Sequence, residues 1–130
     1  MMKPLYTIWM TLGAFFGFVS VLMGSVGAHA LPVTVDERLI KIFQTAVQYN
    51  AIHALALLFY GFWCNNHQDD SEQMLALGIG AAFMGGTVLF SGSLYAMVLT
   101  GIKTLGAVAP MGGLLLMCAW LLLAVLLWKS

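Results

Sequence analysis

The chain contains 130 residues, of which 62% are hydrophobic and only 8% are charged, and its formal net charge is zero. Because soluble domains usually carry about 25% charged residues, this composition excludes an ordinary soluble domain and indicates a protein whose main partner is the lipid bilayer. The balanced charge also excludes nucleic acid as a partner, because nucleic-acid binding requires a basic face of clustered Lys and Arg.

Four stretches have the length and composition of membrane-spanning helices. A span needs about 20 mainly apolar residues, and we predict spans over about 5–28, 47–64, 74–99 and 105–128. Residues 1–130 therefore form a single transmembrane domain, an all-α integral membrane four-helix bundle. The end of the first span, Ala28-His29-Ala30, resembles a signal-peptide cleavage site, but its apolar run exceeds the roughly 7–15 residues of a signal core.

The first and third spans carry small residues at helical spacing. In lipid, helices associate through close backbone approach, because lipid tails are as apolar as the side chains. Residues spaced alternately by three and four stay on one helix face. Room for a ligand is the alternative interpretation of such a face. The predicted packing faces consist of Gly13, Gly17, Ser20, Gly24 and Gly27 in the first span and of Gly78, Ala82, Gly85 and Gly92 in the third.

The connection before the second span has the pattern of an amphipathic interfacial helix over about 34–48. Thr34 and Glu37 have capping-box spacing, which predicts a helix start near Thr34. Beyond them, Lys41, Gln44 and Gln48 share one side of the helix, and the apolar residues share the other. This polar stripe is either a solvated face or a water-lined entrance. The pattern also leaves open whether the helix precedes the second span or is continuous with it.

Topology predicts that the polar residues of the spans gather near one leaflet, because the first and third connections lie on the same side. An ionisable residue within a span, here His53, is by default a candidate functional group. The alternative is a structural clasp, in which His53 is hydrogen-bonded to Ser91, Ser93 or Asn50. The predicted polar cluster consists of His29, Lys41, Gln44, Gln48, Tyr49, Asn50, His53, Ser91, Ser93 and Tyr95.

Positive charges are divided unequally between the two sides of the predicted bundle. Arg38, Lys41 and Lys103 lie on the side of the polar cluster, and Lys3 and Lys129 lie on the other. The positive-inside rule therefore predicts a cytoplasmic polar leaflet and outside termini in a multi-pass protein of a bacterial inner (plasma) membrane.

Four segments of the chain resemble a family of small membrane proteins, domain of unknown function family 423, which is related to transmembrane protein 256. The segments are GSVGAHAL at 24–31, FQTAVQYNAIHAL at 43–55, LFSGSLY at 89–95 and LGAVAPMGG at 105–113. Their order and spacing carry the resemblance, which extends over nearly the whole chain. The resemblance implies a four-helix plasma-membrane protein. It implies no biochemical activity, because the family has none assigned.

The leading functional hypothesis is a non-enzymatic structural or complex-associated membrane component of unknown biochemical activity. It is favoured by the small-residue stripes and by the lack of room for a soluble domain, and it implies a homo-oligomer or a larger membrane complex. The alternative is a small transporter or oligomeric pore that uses the polar cluster around Gln48, Asn50 and His53.

Catalysis on lipids has little support in the sequence. His53 as a base and Ser91 or Ser93 as a nucleophile would lack both a Gly-x-Ser-x-Gly elbow and an acidic residue in the spans to orient the histidine. We therefore predict no catalytic residue.

Metal and haem binding also have little support. His29 and His53 are candidate ligands, but they lie at different depths, and the loose cluster formed by Cys64, His67, Asp69 and Asp70 lacks a recognisable metal spacing. We predict no metal site and no cofactor.

Overall fold

The computed structural model describes residues 5–31, 35–67 and 73–130, and these ranges contain helices and no strand. Four segments are long and apolar enough to cross a membrane, namely Tyr6–His29, Glu37–Asn66, Gln73–Thr100 and Lys103–Lys129. The predicted all-α membrane bundle is thereby confirmed. The elements are α1 (Leu5–His29), α2 (Glu37–Asn66), α3 (Gln73–Thr87), a π-helical turn (Val88–Gly92), α4 (Ser93–Thr100), a 3-10 helix (Lys103–Val108) and α5 (Ala109–Lys129).

The amphipathic segment and the second span form one continuous helix, α2, of 30 residues. Its start differs from the predicted capping box. Thr34 lies outside the described residues, and the side chain of Asp36 is the N-cap, accepting a hydrogen bond from the Arg38 backbone N–H at 3.1 Å. An aspartate at this position satisfies one of the backbone donors left free at a helix start.

α1 and α2 form a closely packed antiparallel pair. A Cβ atom added at Gly13 would lie 2.8 Å from the backbone nitrogen of Leu58 and 2.9 Å from the carbonyl oxygen of Ala54. On the other helix, a Cβ atom at Gly61 would lie 2.9 Å from the carbonyl oxygen of Tyr6. The two backbones therefore approach as closely as only glycine permits, which is how dispersion forces hold helices together in lipid.

The remaining glycines of the α1 stripe also face α2, where they meet side chains rather than backbone. A Cβ atom added at Gly17 would lie 4.0 Å from the Ala54 side chain. One added at Gly24 would lie 3.6 Å from Val47, and one added at Gly27 would lie 2.9 Å from the Phe43 ring. Ser20, on the same stripe, is buried and turns its hydroxyl back to the Gly17 carbonyl at 2.8 Å.

The predicted packing face of α3 is in part wrong. Gly78 has no neighbour within 4 Å, and Gly92 meets only Val88, one turn earlier on the same segment. Close packing is found instead at two glycines outside the predicted stripe. The indole ring of Trp9 covers Gly80, and a Cβ atom at Gly86 would lie 2.7 Å from the side chain of Leu116 on α5.

α5 packs against α3 and the π-helical turn at another glycine, Gly112. A Cβ atom there would overlap the backbone nitrogen of Phe90 and would lie 2.9 Å from the carbonyl oxygen of Gly86. The buried side of α5 is one narrow stripe, and the remaining apolar side chains of this helix are exposed. The stripe consists of Ala109, Gly112, Leu116, Ala119, Leu123 and Leu126.

The interior contains two apolar clusters that are separated along the helices. One lies around Phe83, Leu57 and Leu116, and the other lies around Phe43 and Tyr95. Between them in the chain order of α2 and of the third span are buried polar side chains. This polar layer consists of Asn50, His53, Thr87 and Ser91.

Candidate functional site

His53 in the polar layer has both ring nitrogens engaged. Its Nδ1 lies 2.7 Å from the Tyr49 carbonyl oxygen, and its Nε2 lies 3.0 Å from the indole nitrogen of Trp120 on α5. An indole N–H only donates, and a carbonyl oxygen only accepts. His53 is therefore neutral in this arrangement, with its proton on Nδ1 and the Nε2 lone pair accepting from Trp120.

Aromatic rings surround this histidine. Phe83 packs against both partners, with its ring centroid 6.2 Å from that of His53 and 5.1 Å from that of Trp120. On the other side, Tyr49 stacks on His53 at 6.0 Å and also contacts Phe90 at 4.9 Å. His53 is only 4% exposed. The His53–Trp120 hydrogen bond thus lies in apolar surroundings, where an unpaired polar atom would be costly.

Asn50 lies one turn before His53 and links α2 to α4. Its side-chain amide donates to the Tyr95 hydroxyl at 2.9 Å, and the Tyr95 ring packs against Phe43 at 5.2 Å. Asn50 is 2% exposed, and its Oδ1 has no hydrogen-bond partner among the described residues. This oxygen is a buried acceptor that the polar layer leaves unused.

Ser91 joins the polar layer through the π-helical turn. Its hydroxyl donates at 2.8 Å to the carbonyl oxygen of Ala46, which lies one turn before Asn50 on α2. The neighbouring hydroxyls bond locally, Thr87 to the Phe83 carbonyl at 2.7 Å and Ser93 to the Phe90 carbonyl at 3.0 Å. π-helical turns occur often at functional sites.

A lateral groove lies beside the polar layer, where the first turns of α2 face the start of α5. Its volume is about 740 Å³ and it is open on one side. Charged side chains line one part of it, and apolar or small residues line the rest. The lining residues are Asp36, Glu37, Arg38, Lys41, Ile42, Thr45, Phe90, Leu94, Gly106, Ala109 and Pro110.

Comparison with known proteins shows the family. A sequence model of the family described as "Protein of unknown function (DUF423)" matches residues 23–113. The chain belongs to the DUF423 family. The resemblance predicted from its four segments is thus confirmed, and the matched range includes every residue that lines the groove. Trp120 lies outside that range.

Relatives of this DUF423 protein cover most of its length. The UPF0382 membrane protein YwdK of Bacillus subtilis is 33% identical over 118 residues, which are 91% of this chain and 94% of that protein. The UPF0382 inner membrane protein YgdD of Escherichia coli is 33% identical over 123 residues, 86% of this chain and 82% of that protein. No solved structure matches. The DUF423 chain is a multi-pass membrane protein of a family with no known activity.

The structure brings together only part of the predicted polar cluster of this DUF423 protein. Asn50, His53, Ser91 and Tyr95 are buried, and Tyr49 lies beside them. The remaining members do not join them. Ser93 bonds within its own helix, whereas the other four are exposed, namely His29, Lys41, Gln44 and Gln48.

The predicted partners of His53 differ from those observed. Neither Ser91, Ser93 nor Asn50 bonds to the imidazole, since its cross-helix partner is Trp120. Along α2, His53 lies about 24 Å beyond the helix start at Glu37, near the middle of the helix.

Sequence reasoning missed Trp120 as the hydrogen-bond partner of His53 in this DUF423 protein. The available signal was its side chain, which carries a hydrogen-bond donor in the otherwise leucine-rich α5. The sequence of α5 alone does not identify the partner of this donor, because it does not show which other helix the Trp120 side chain faces.

The candidate metal ligands are also not assembled in the described ranges. His29 is exposed at the end of α1, whereas the His53 nitrogens are both engaged. His67 stacks on Trp63 at 4.3 Å, and Asp69 and Asp70 lie outside the described residues. Among the described residues, no group of three or more His, Cys, Asp or Glu side chains is arranged to hold a metal ion.

Proposed function

We propose that this DUF423 chain is a non-enzymatic membrane component that acts by association, either with further copies of itself or with a larger membrane complex. In this proposal the polar layer fixes the positions of α2, the third span and α5 relative to one another. The surface that we assign to association is the exposed apolar side of α5.

The observation that carries the proposal concerns His53 and Ser91, the two side chains most suited to catalysis, which are both already hydrogen-bonded to other groups of the protein. His53 has neither ring nitrogen free, and the Ser91 hydroxyl donates to a backbone carbonyl rather than to the histidine. Serine activation requires a base within hydrogen-bond reach of the hydroxyl. The polar layer is therefore arranged as a set of cross-helix clasps.

Oligomeric state tests the proposal. The full chain, reconstituted in nanodiscs or extracted in a mild detergent, is examined by light scattering and native mass spectrometry. We expect a defined oligomer or a stoichiometric complex. Leu121→Trp on the exposed side of α5 should reduce that assembly, whereas Val21→Trp on the exposed side of α1 is the matched control. A dispersed monomer at all protein concentrations would contradict the proposal.

A transporter or oligomeric pore is the second candidate, and a specific observation favours it. The third span is interrupted by the π-helical turn at the level of Asn50, whose Oδ1 is buried and unpartnered. Transporters often place interrupted helices and polar groups near the middle of the membrane. Against it, Gln44 and Gln48 are exposed on the outer side of α2, so they do not continue a path from Asn50.

Flux measurements distinguish this candidate from the first. Proteoliposomes that contain the wild-type chain should show solute or ion flux that falls in Asn50→Leu and in His53→Ala, and Gln48→Ala is the control on the outer face. Flux that is equal in all four preparations, or equal to that of empty liposomes, would exclude a path through the polar layer.

We also propose an inner-membrane location with the groove side facing the cytoplasm. The location is supported by the E. coli relative, which is described as an inner membrane protein, and the orientation by the position of Arg38, Lys41 and Lys103 at that end of the bundle. Labelling of Lys103→Cys in intact cells with a membrane-impermeant thiol reagent, in a chain whose Cys64 and Cys118 are replaced by Ser, tests the orientation. Labelling without permeabilisation would show that this end faces outward.

A further inference from the structure

We propose that the lateral groove binds one phosphatidylethanolamine molecule, a phospholipid whose headgroup carries both a phosphate and a primary ammonium group. The lipid enters sideways from the bilayer through the open side of the groove. This site is separate from the association proposed above, and the retention of a lipid is measured independently of oligomeric state.

The first argument is the charge pattern at the groove mouth. Asp36, Glu37, Arg38 and Lys41 all line the groove and are all exposed, so two cations and two carboxylates stand within two turns of one helix start. Among the described residues, these four side chains form no ion pair. Their one side-chain hydrogen bond is the helix cap, in which Asp36 accepts from the Arg38 backbone N–H. Their charges are available to a ligand.

A zwitterionic headgroup complements this pattern better than the alternatives do. A phosphate accepts charge-assisted hydrogen bonds from the Arg38 guanidinium, which suits bidentate contacts, and from Lys41. The primary ammonium donates to Asp36 or Glu37. A phosphatidylglycerol headgroup would leave both carboxylates facing a net negative ligand, and a trimethylated choline ammonium has no N–H to donate.

The second argument is the change from charged to apolar lining along the groove. Phe90 and Leu94 line it beyond the charged mouth, and Phe90 contacts Tyr49, which is about 12 Å past Lys41 on α2. An acyl chain therefore lies along apolar side chains while the headgroup remains at the level of the helix start. Because bilayer tails are equally apolar, this part accommodates the lipid, and the headgroup contacts supply the selectivity.

Competitive lipid retention tests the site. The full chain is reconstituted with equal amounts of phosphatidylethanolamine, phosphatidylglycerol and phosphatidylcholine, re-extracted in a mild detergent, and analysed by native mass spectrometry. Two or more charge-assisted contacts at an interface predict that one phosphatidylethanolamine is retained per chain, enriched about three- to tenfold over the other lipids. Arg38→Gln/Lys41→Gln should reduce this enrichment to the proportions of the mixture.

A second variant keeps the experiment decisive if the first folds poorly. Asp36→Asn/Glu37→Gln removes both negative charges, and the helix start is preserved because Asn caps a helix about as well as Asp. The mouth is then purely cationic, so the preference should move to phosphatidylglycerol. Lys103→Gln is the matched control, because Lys103 lies at the same end of the bundle but does not line the groove.

Three lipid-retention results would overturn the proposal. They are equal retention of the three lipids by the wild-type chain, phosphatidylethanolamine enrichment that persists in Arg38→Gln/Lys41→Gln, and an unchanged preference in Asp36→Asn/Glu37→Gln. Occupation of the groove by a second copy of the chain would also overturn it. That arrangement would be seen as a disulfide-linked dimer of Leu94→Cys, made with Cys64 and Cys118 replaced by Ser, together with loss of the retained lipid.

Discussion

Trp120 on α5 donates its indole N–H to Nε2 of His53 on α2 at 3.0 Å. This hydrogen bond joins two of the helices that line the lateral groove, and it lies beyond the groove on the side toward the middle of the bundle. It also selects the neutral histidine tautomer with a proton on Nδ1. The contact thus connects the packing of α5 with the protonation state of the buried ionisable group.

Trp120→Phe should destabilise the bundle, because it leaves the buried Nε2 of His53 without a donor. We expect a loss of about 0.6–2 kcal/mol in the free energy of unfolding, measured by titration with a denaturing detergent. Trp128→Phe is the control, since Trp128 is 90% exposed. Equal stability of the two variants would show that the His53–Trp120 bond contributes nothing measurable.

Replacements of Asn50 and Tyr95 should have unequal effects. Tyr95→Phe leaves the whole Asn50 side chain buried without a partner, which predicts a loss of about 1–3 kcal/mol in unfolding free energy. Asn50→Leu should cost less, because it also removes the unpartnered Oδ1. Thermal unfolding of both variants in the same detergent checks the order. A larger loss for Asn50→Leu would indicate that Oδ1 binds a water or ligand, which would favour the transporter candidate.

Gly112→Ala and Gly78→Ala test the backbone contacts of the third span. The new methyl group at position 112 overlaps the Phe90 backbone, so we expect a loss of about 1–3 kcal/mol or more, as is usual for overpacking. At position 78 the methyl group meets nothing, and alanine should stabilise the helix by up to about 1 kcal/mol. Thermal unfolding of the two proteins side by side measures both. Similar melting temperatures would contradict the close approach of α5.

Gly101 ends α4 in the left-handed region with φ of 76°, and its N–H donates to the Met97 carbonyl at 2.9 Å. Gly101→Ala should therefore cost about 1–2 kcal/mol, because a side chain in this conformation meets the following carbonyl. Gly101→Asn should cost less, since asparagine visits the region more readily. The measurement is again the unfolding free energy, and an alanine variant as stable as the asparagine variant would be the contrary result.

The sequence predicted most of the residues of the candidate site, but it did not predict which of them contact one another. Asn50, His53, Ser91 and Tyr95 were named from the sequence, because polar groups stand out in an apolar span. Their pairing was not predictable. Side chains on one helix point in known relative directions, but the rotation of each helix about its own axis is decided by packing against the others.

In the third span, a local change of helix geometry alters the small-residue packing face that was predicted from helical spacing. Its predicted stripe ran from Gly78 to Gly92 with constant helical spacing, yet the π-helical turn Val88–Gly92 lies within it. A π-helical turn inserts one residue into the helix and so rotates everything beyond it by about 100°. Gly92, at the end of this turn, consequently leaves the stripe. Gly78 precedes the turn and is open for a different reason, since the face of α3 that packs is the one that carries Gly80 and Gly86.

The sequence by itself determined that this protein is a membrane bundle of four helical spans. With few charges and about 20 apolar residues per span, the backbone must satisfy its own hydrogen bonds in lipid, and helices do so locally. The tertiary structure alone decided that Gln44 and Gln48 face outward, that Trp120 meets His53, and that a groove opens beside α5. These features depend on helix rotation and close packing between segments far apart in the chain, which no pattern within one segment specifies.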